Sequence, residues 1–283
     1  MDGTMGSMEG ELQRAGAMPD DKLDLARLAL TLAALDRPEF EPAPYLAHLD
    51  ELAAVAADTL SGDVRDAPPG IVAGALAGVV AGRYRYLGDT ETYDDPRNAN
   101  LADVIDRRKG LPVTLGILYL HVGTKLGLDL SGLNFPGHFV LRLRSAGEAT
   151  VLDPFNGGRA LTAADLLTLL RGVEGPDARL TPEACEPVGP RDILLRLENN
   201  ILGRAVKAGD FVRAREIVLR MIWLAPQRAG LRFELGRLEV HAGHMGAAAH
   251  AFEACRDMAA DLGEIRIAGM AEEALRRLKT RLN

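Results

Sequence analysis

The sequence predicts an α+β protein with an all-helical C-terminal third, and three patterns lead to this fold class. Apolar residues recur at helical spacing over residues 22–35, 45–60 and 71–86. Short apolar runs separated by turn residues follow between residues 128 and 161, which is typical of an antiparallel sheet. Helical spacing returns after residue 190 and carries an internal repeat. Helices, then a sheet, then helices indicate an α+β core with a helical appendage.

The N-terminal part divides into a leader and a helical bundle. Residues 1–19 hold four methionines and lack a basic stretch followed by an apolar core, so we expect a flexible leader without a secretory signal. Translation could equally start at Met5, Met8 or Met18. Residues 20–90 predict a bundle of three helices, the first capped by an aspartate pair, with breaks at Pro38, Pro42–Pro44 and Pro68–Gly70.

Residues 91–172 predict the α+β core itself. Asn98 or Asn100 caps a helix over residues 101–108, which Gly110 ends. Pro112 begins a second helix over about residues 113–126, because proline loses no hydrogen bond in a first turn. Strands are expected at 128–135, 138–143 and 149–152, with a short fourth at 159–161, followed by a helix that Thr162 caps. Residues 173–190 contain four prolines and predict a linker loop.

Residues 191–283 predict a tail built like tetratricopeptide repeats. Two glycines that end helices, Gly209 and Gly243, lie 34 positions apart, which is the period of that repeat. Small and apolar residues fall at matching places after each glycine, namely Ala214 with Ala248 and Val218 with Phe252. The match is incomplete, since Leu202 stands where the second unit has Gly236. Residues 265–282 predict a final helix that caps the array.

Composition excludes several classes of protein. The chain has 283 residues, 47% hydrophobic and 26% charged, with a formal charge of −7, which is typical of a globular domain and disfavours broad nucleic-acid binding. The basic run Arg107–Lys109 is expected to be a solvated helix end. Two cysteines in unlike contexts predict a reducing compartment, and no apolar run is long enough to span a membrane, so a cytoplasmic protein is expected.

His138 and Asp153 are the first candidates for chemistry. His138 follows Phe135-Pro136-Gly137 at the expected start of one strand, and Asp153 ends the next. In an antiparallel pair the start of one strand lies beside the end of the other, so the two side chains are expected to be neighbours. A carboxylate there would fix the tautomer of the imidazole and raise its basicity. A purely structural hydrogen bond is the alternative.

Four segments carry a resemblance to a known family. They are Tyr93–Asn98, Arg107–Pro112, Phe135–Phe139 and Leu152–Gly158. With the helical N-terminus and the tail, they make nearly the whole chain similar to the SirB family of bacterial transglutaminase-like proteins. The resemblance implies a papain-like core in which a helix, a histidine and an aspartate follow in that order.

The sequence departs from transglutaminase-like enzymes at the nucleophile. Those enzymes place a cysteine at the N-terminus of the helix before the histidine, where the helix dipole stabilises a thiolate. Counted back from Gly127, that position is Pro112 here, and the nearest hydroxyl is Thr114. Cys185 lies in the expected linker and Cys255 in the tail. The resemblance therefore implies the fold and a His–Asp pair, but not transfer through a thioester.

The remaining polar candidates favour binding rather than catalysis. Arg97 and Asn98 could line a pocket or tie their loop down, and Asn156 begins a turn with two glycines. No metal or other cofactor is expected, because His138 and Asp153 lack further ligands. The tail histidines do not change this, since His241 and His244 straddle the Gly243 turn rather than share a helix face.

Three hypotheses about function remain open. The first is a non-catalytic binding or adaptor protein, with a protein or peptide held by the cleft and the helical tail. The second is a hydrolase or acyltransferase in which His138, oriented by Asp153, activates water or Thr114. The third is a structural role, in which the pair only holds the sheet together.

Overall fold

The computed structural model describes residues 2–37, 39–60 and 67–282, so the expected break at Pro38 lies outside the described residues. The chain divides into two compact units. The core unit is Asp20–Leu197, and the tail unit combines Met1–Pro19 with Glu198–Asn283. Helix α1 (Asp2–Ala17) occupies the expected flexible leader, which corrects that prediction. Leu12 and Ala15, three residues apart on one helix face, are buried where α1 packs against a tail helix.

The helices of the core unit begin and end close to the predicted positions. They are α2 (Leu25–Leu35), α3 (Pro42–Thr59), α4 (Pro69–Ala77), α5 (Leu101–Arg107), α6 (Pro112–Lys125) and α7 (Ala163–Glu174). A π-helical turn over Gly78–Arg83 continues α4. Asp24 caps α2 in place of the expected aspartate pair, which lies in a preceding 3-10 turn. Pro42 begins α3 rather than breaking it, because a first-turn proline costs no hydrogen bond.

Asn100 settles the boundary of α5. Its side-chain Oδ1 accepts hydrogen bonds from the backbone N–H groups of Ala102 and Asp103, at 3.0 and 3.1 Å, so Asn100 rather than Asn98 is the cap. The helix ends at Arg108, whose φ of 62° is left-handed, and not at Gly110 as expected. The chain continues from this turn into the short strand β2 (Lys109–Gly110), which pairs in parallel with β1 (Leu87–Gly88).

A five-stranded antiparallel sheet packs beside these helices. Its strands are β3 (Asp129–Leu133), β4 (Leu141–Ser145), β5 (Glu148–Asp153), β6 (Arg159–Leu161) and β7 (Pro187–Val188), in the spatial order β6-β5-β4-β3-β7. β4 begins at Leu141, so His138 lies in the loop before the strand and not at its start. β7 comes from the expected linker, which therefore closes the sheet beside β3 instead of forming a free loop.

Helix α6 is the buried axis of the core unit. Every residue from Pro112 to Leu120 is buried. A Cβ atom at Gly116 would lie 2.4 Å from the ring of Phe139, and one at Gly123 would lie 2.8 Å from Leu130. These two glycines let the helix approach the sheet closely, and Gly116 brings it against Phe139, the residue after His138.

The tail unit contains two helix pairs and a final helix. The helices are α8 (Pro190–Lys207), which begins within the core unit, α9 (Phe211–Leu224), α10 (Ala229–His241), α11 (Met245–Asp261) and α12 (Ile265–Leu282). Gly209 and Gly243 adopt positive φ of 74° and 79° after α8 and α10, as helix stops that recur with the repeat require. Ala214, Ala248, Val218 and Phe252 are buried, as the repeat predicted.

Gly236 shows what the glycine of the second repeat provides. A Cβ atom there would lie 2.6 Å from the ring of Phe252, so only glycine allows this ring to lie against α10. The ring of Phe252 also meets that of Phe233, with centroids 5.3 Å apart. The ring of Phe252 on α11 therefore packs directly against Gly236 on α10.

The basic run Arg107–Lys109 is bound by partners from other segments. Arg107 Nη2 lies 3.1 Å from the buried carboxylate of Asp89, and Lys109 Nζ lies 2.7 Å from Glu91. Arg108 lies over the ring of Tyr86 at 4.5 Å. Two of the three cations therefore carry acidic partners and the third packs on an aromatic ring, which differs from the expected solvated helix end. Over residues 2–37, 39–60 and 67–282, no helix combines the length and apolarity that a bilayer crossing requires.

Candidate functional site

His138 and Asp153 lie in hydrogen-bond contact, as their places on neighbouring strands suggested. The Nε2–H of His138 donates to Oδ1 of Asp153 over 2.8 Å. The aspartate side chain is 1% exposed, and the histidine side chain is 16% exposed. With Nε2 protonated, Nδ1 carries the lone pair of a neutral imidazole. The imidazole is therefore slightly exposed, while the carboxylate that it contacts is buried.

Asp153 is held by more than the histidine. Its carboxylate also accepts hydrogen bonds from the backbone N–H groups of Phe155 and Asn156, at 3.0 and 3.3 Å, and from the Asn156 amide at 2.6 Å. Burial acts to raise the pKa of Asp153, but the hydrogen bonds from His138 and Asn156 outweigh it and leave the pKa below its ordinary value. The group is therefore a carboxylate at neutral pH.

The loops around the pair are set by glycines with left-handed backbone. Gly137 has a φ of 68°, and Gly157 and Gly158 have φ of 72° and 76°. The turn after Asp153 therefore needs glycine at both positions, as its sequence suggested. The ring of Phe155 stands at right angles to the imidazole of His138, with centroids 6.1 Å apart, and so covers one side of it.

Pro112 is the residue at which the sequence resemblance placed the nucleophile of related enzymes. It is the first residue of α6 and is buried. It shares one helix face with Gly116, a turn further on, and Gly116 meets the ring of Phe139, the neighbour of His138. Proline carries no nucleophilic atom, so Pro112 itself cannot serve as the group that the imidazole activates.

Thr114 is not arranged as a substitute nucleophile. Its side chain is fully buried, and its hydroxyl donates to the backbone carbonyl of Asn98 at 2.6 Å, with a longer contact of 3.3 Å to the carbonyl of Leu111. A hydroxyl proton that already bonds a carbonyl oxygen is not the one that an imidazole would remove. Thr114 fastens the first turn of α6 to the preceding loop.

Arg97, Asn98 and Asn156 have separate partners. Asn98 is buried, donates to the carbonyl of Thr92 at 2.7 Å and accepts from Arg107 at 3.0 Å. Arg97 is 60% exposed on its side chain and pairs with Asp95 at 2.6 Å. Of the three, Asn156 alone contacts the His–Asp pair, through Asp153. The contacts of Asn98 are those of a loop tie.

Tyr119 and Arg196 border this region, and the sequence reasoning did not single them out. The buried hydroxyl of Tyr119 has no hydrogen-bond partner in the part of the chain that the structure describes. Burial, followed by the nearby charge of Asp153, raises the pKa of this phenol. Arg196 donates to the carbonyl of Phe135 at 2.8 Å and lies over the ring of Phe139 at 5.5 Å. The spacing of Tyr119 seven residues after Pro112, on the same helix face, was the available signal.

Neither metal ligands nor a disulfide are found at the described positions. Among residues 2–37, 39–60 and 67–282, no three or more His, Cys, Asp or Glu side chains group as a metal site would. Cys185 is half-buried and Cys255 is buried, and both are free thiols. In the tail, His244 Nδ1 lies 2.8 Å from the carboxylate of Glu239, across the Gly243 turn. This second His–carboxylate pair braces a helix stop.

The tail unit contains an open groove between α10 and α12, with α11 behind it. Its volume is about 810 Å³. Phe233, Val240, Phe252, Ala274 and Leu278 supply its apolar lining. Charged side chains on the same wall are Arg237, Arg266, Arg277 and Glu273, with His241 and Met270 between them.

Two family profiles together cover most of the chain. The transglutaminase-like superfamily matches residues 43–199, and the tetratricopeptide repeat matches residues 201–282. The first match includes α3 to α7, the sheet and the His138–Asp153 pair. The second covers α9 to α12 and most of the tail unit.

Proteins similar to this chain occur in bacteria and animals. A UPF0162 protein of Pseudomonas aeruginosa is 32% identical over 218 residues, which are 75% of this chain and 78% of the relative. A UPF0162 protein of Xylella fastidiosa is 35% identical over 166 residues, so the chain spans 59% of that relative's length. Human F-box only protein 21 is 25% identical over 180 residues, or 60% of this chain and 28% of its own length.

Among solved structures, menin, described with its binding site for the Mixed Lineage Leukemia protein, is similar over 90% of this chain and 70% of its own. Its TM-score is 0.40 at 11% identity, which is too low to assign a fold. The family profiles and the Pseudomonas relative are sufficient for that purpose. The chain belongs to the transglutaminase-like superfamily, within the UPF0162 family, and carries a tetratricopeptide-repeat region.

Proposed function

We propose that this protein is a non-catalytic adaptor, in which a transglutaminase-like unit without a nucleophile accompanies a tail that binds a protein partner. Its assignment to the SirB family within UPF0162 and its cytoplasmic location are parts of this proposal. Two free cysteines suit a reducing compartment. Within the proposal, His138 and Asp153 orient a ligand or hold the loops rather than transfer a proton to a nucleophile.

The observation that carries the proposal is the buried Pro112 at the first position of α6. In this fold the helix dipole and the histidine act on the residue at that position. The other hydroxyl nearby, on Thr114, is buried and donates to a backbone carbonyl. His138 keeps its hydrogen bond to Asp153. In this proposal it has no nucleophilic side chain to deprotonate, so it takes part in no covalent step.

Tetratricopeptide repeats generally mediate protein–protein interaction, which supports the adaptor part of the proposal. The tail of this chain has the parts that such an interaction needs, namely paired helices and an open groove with an apolar lining. The enzymatic alternative, water activated by His138, draws support from the 16% exposure of that side chain. The two functions separate in one experiment.

The test measures turnover by the purified full-length chain, His138→Ala and, as a matched control, His244→Ala. Each protein is incubated with chromogenic esters, with glutamine-containing peptides plus a labelled amine, and with peptide amides. We expect no turnover above buffer in any of the three. Turnover by the wild type that His138→Ala abolishes and His244→Ala retains would show an enzyme and overturn the proposal.

A gain-of-function variant checks the reason for inactivity. In a Cys185→Ser background, Pro112→Cys places a thiol at the first position of α6, one turn before the Gly116 that packs on Phe139. We expect iodoacetamide to alkylate this thiol near neutral pH faster than a free cysteine reacts, since a helix N-terminus and an imidazole stabilise the thiolate. Adding His138→Ala should remove the excess rate. An equal rate with and without His138 would mean that the imidazole does not reach position 112.

A further inference from the structure

The groove between α10 and α12 has a charge that differs from that of the whole molecule. Its charged lining consists of three arginines and a single glutamate, whereas the chain has a formal charge of −7. The lining of this groove therefore has an excess of arginine over carboxylate that the chain as a whole does not have. Such a groove attracts anionic ligands and repels cationic ones.

The arginines of the groove differ in how they are paired. Arg237 lies 3.0 Å from Glu234, and Arg277 lies 2.9 Å from Glu273. Arg266 makes no ion pair or side-chain hydrogen bond with the residues described here, and its side chain is exposed. An unpaired guanidinium can bind a carboxylate without first breaking an existing ion pair. It can donate two parallel hydrogen bonds to that carboxylate.

The floor of the groove is apolar and partly uncovered. Met270, in the lining of the groove, is 44% exposed. Gly269 has no neighbour within 4 Å of the position that a Cβ atom would take, so the middle of α12 leaves open space. Methionine adapts its shape to the side chain that packs on it. A volume of about 810 Å³ accommodates several side chains of a bound segment.

From these three observations we propose that the groove between α10 and α12 binds an acidic peptide segment that inserts apolar side chains between its carboxylates. The apolar side chains pack on Phe233 and Met270, and the carboxylates meet Arg266 and Arg237. The inference rests on the adaptor function proposed above and specifies the chemistry of the partner. The peptide is then recognised at α12, which forms one side of the groove.

The test uses fluorescence anisotropy with the full-length chain and a short labelled peptide of Asp, Glu, Leu and Phe. Two matched peptides replace every acidic residue by Asn or Gln, or by Lys. We expect saturable binding of the acidic peptide, weaker binding of the neutral one and none of the basic one. Added salt should weaken the acidic peptide's binding, because exposed charges are screened.

Point variants locate the binding. Arg266→Glu should weaken the acidic peptide about tenfold, since it replaces an attraction by a repulsion. The control is Arg256→Glu, an exposed arginine of α11 outside the groove, which should leave the affinity unchanged. In a methyl-labelled sample the Met270 resonance, assigned with Met270→Leu, should shift on titration. Equal binding by wild type and Arg266→Glu, or no binding of the acidic peptide, overturns the inference.

The outcomes distinguish this inference from the proposed function. Binding of the neutral or basic peptide at Met270, without the acidic one, would leave an adaptor with a different partner chemistry. Binding of oleate but not of peptide would make the groove a fatty-acid site, contrary to the inference. Acidic-peptide binding together with His138-dependent turnover would preserve the inference and overturn the non-catalytic proposal.

Discussion

Each of the two units contains a buried carboxylate that accepts a hydrogen bond from a histidine over 2.8 Å. In the core unit the pair is Asp153 with His138, and in the tail unit it is Glu239 with His244. Both carboxylates are nearly inaccessible, at 1% and 3% exposure of the side chain. The histidines differ, with 16% exposure in the core and 63% in the tail.

The comparison teaches that a His–carboxylate pair does not define an active site by its own geometry. The pair in the tail connects the two sides of a helix stop and serves the fold. The pair in the core has the same bond length, but the residue after its histidine, Phe139, packs on Gly116 of the buried helix α6. What distinguishes the two pairs is the surroundings of the imidazole, which in the core include the ring of Phe155 and little exposure to solvent.

Removing the carboxylates should give the largest difference. Asp153→Ala leaves the loop donors of residues 155 and 156 and the imidazole unpaired in a buried place, so we expect a loss of about 3 kcal/mol in unfolding free energy. Glu239→Ala should cost about 1 kcal/mol, because Arg215 and His244 can turn to water. Hydrogen exchange of amides in β4–β5 and in α10–α11 reports the two units separately. Equal losses would mean that exposure of the partner does not matter.

Replacing by alanine the two glycines that contact aromatic rings should give the next largest difference in stability. Gly116→Ala forces a methyl group onto Phe139, and Gly236→Ala forces one onto Phe252. We expect about 2–3 kcal/mol for the first, since Phe139 is enclosed, and about 1–2 kcal/mol for the second, where the ring borders an open groove. Thermal unfolding checks both, with Gly246→Ala, whose Cβ position is open, as the control.

Removing the histidines should give a smaller difference in unfolding free energy between the two units. His138→Ala should lower the unfolding free energy by about 1–2 kcal/mol, because Asp153 loses a hydrogen bond in a buried site. His244→Ala should cost less than about 0.5 kcal/mol, since an exposed side chain leaves its place to water. Trp223 fluorescence during denaturant unfolding measures the cost in the tail unit, and hydrogen exchange of β4–β5 amides measures the cost in the core unit. A cost for His244→Ala as large as that for His138→Ala would contradict the comparison.

The smallest expected effect is the dependence of stability on acidic pH. The folded-state pKa of Asp153 lies below its unfolded value, so its stabilisation is complete above the unfolded pKa and is lost as the pH falls through the folded one. The stability advantage of wild type over Asp153→Asn should therefore shrink as the pH falls from about 5 towards 2. The same sign holds for Glu239, whose pKa is also lowered. An advantage that grows on acidification would reverse the assignment.

Local signals carried much of the fold. Helical spacing and proline positions predicted α2 to α6, and a 34-residue period predicted the paired helices of the tail. The leader was wrong because α1 is held by packing on α9, which no local pattern reveals. β7 was missed for the same reason, since two residues become a strand only beside β3. The domain boundaries given by the sequence, and the roles of the site residues, remain predictions.

The sequence by itself determined the order of the elements, the turns that need glycine, and the proline where a nucleophile would stand. These depend on properties of single residues and their near neighbours along the chain. The tertiary structure alone decided that Thr114 bonds a carbonyl, that two cations of the basic run carry acidic partners, and that arginines line one groove of an acidic protein. These depend on which distant segments meet, because hydrogen bonds and charge pairs form between neighbours in space.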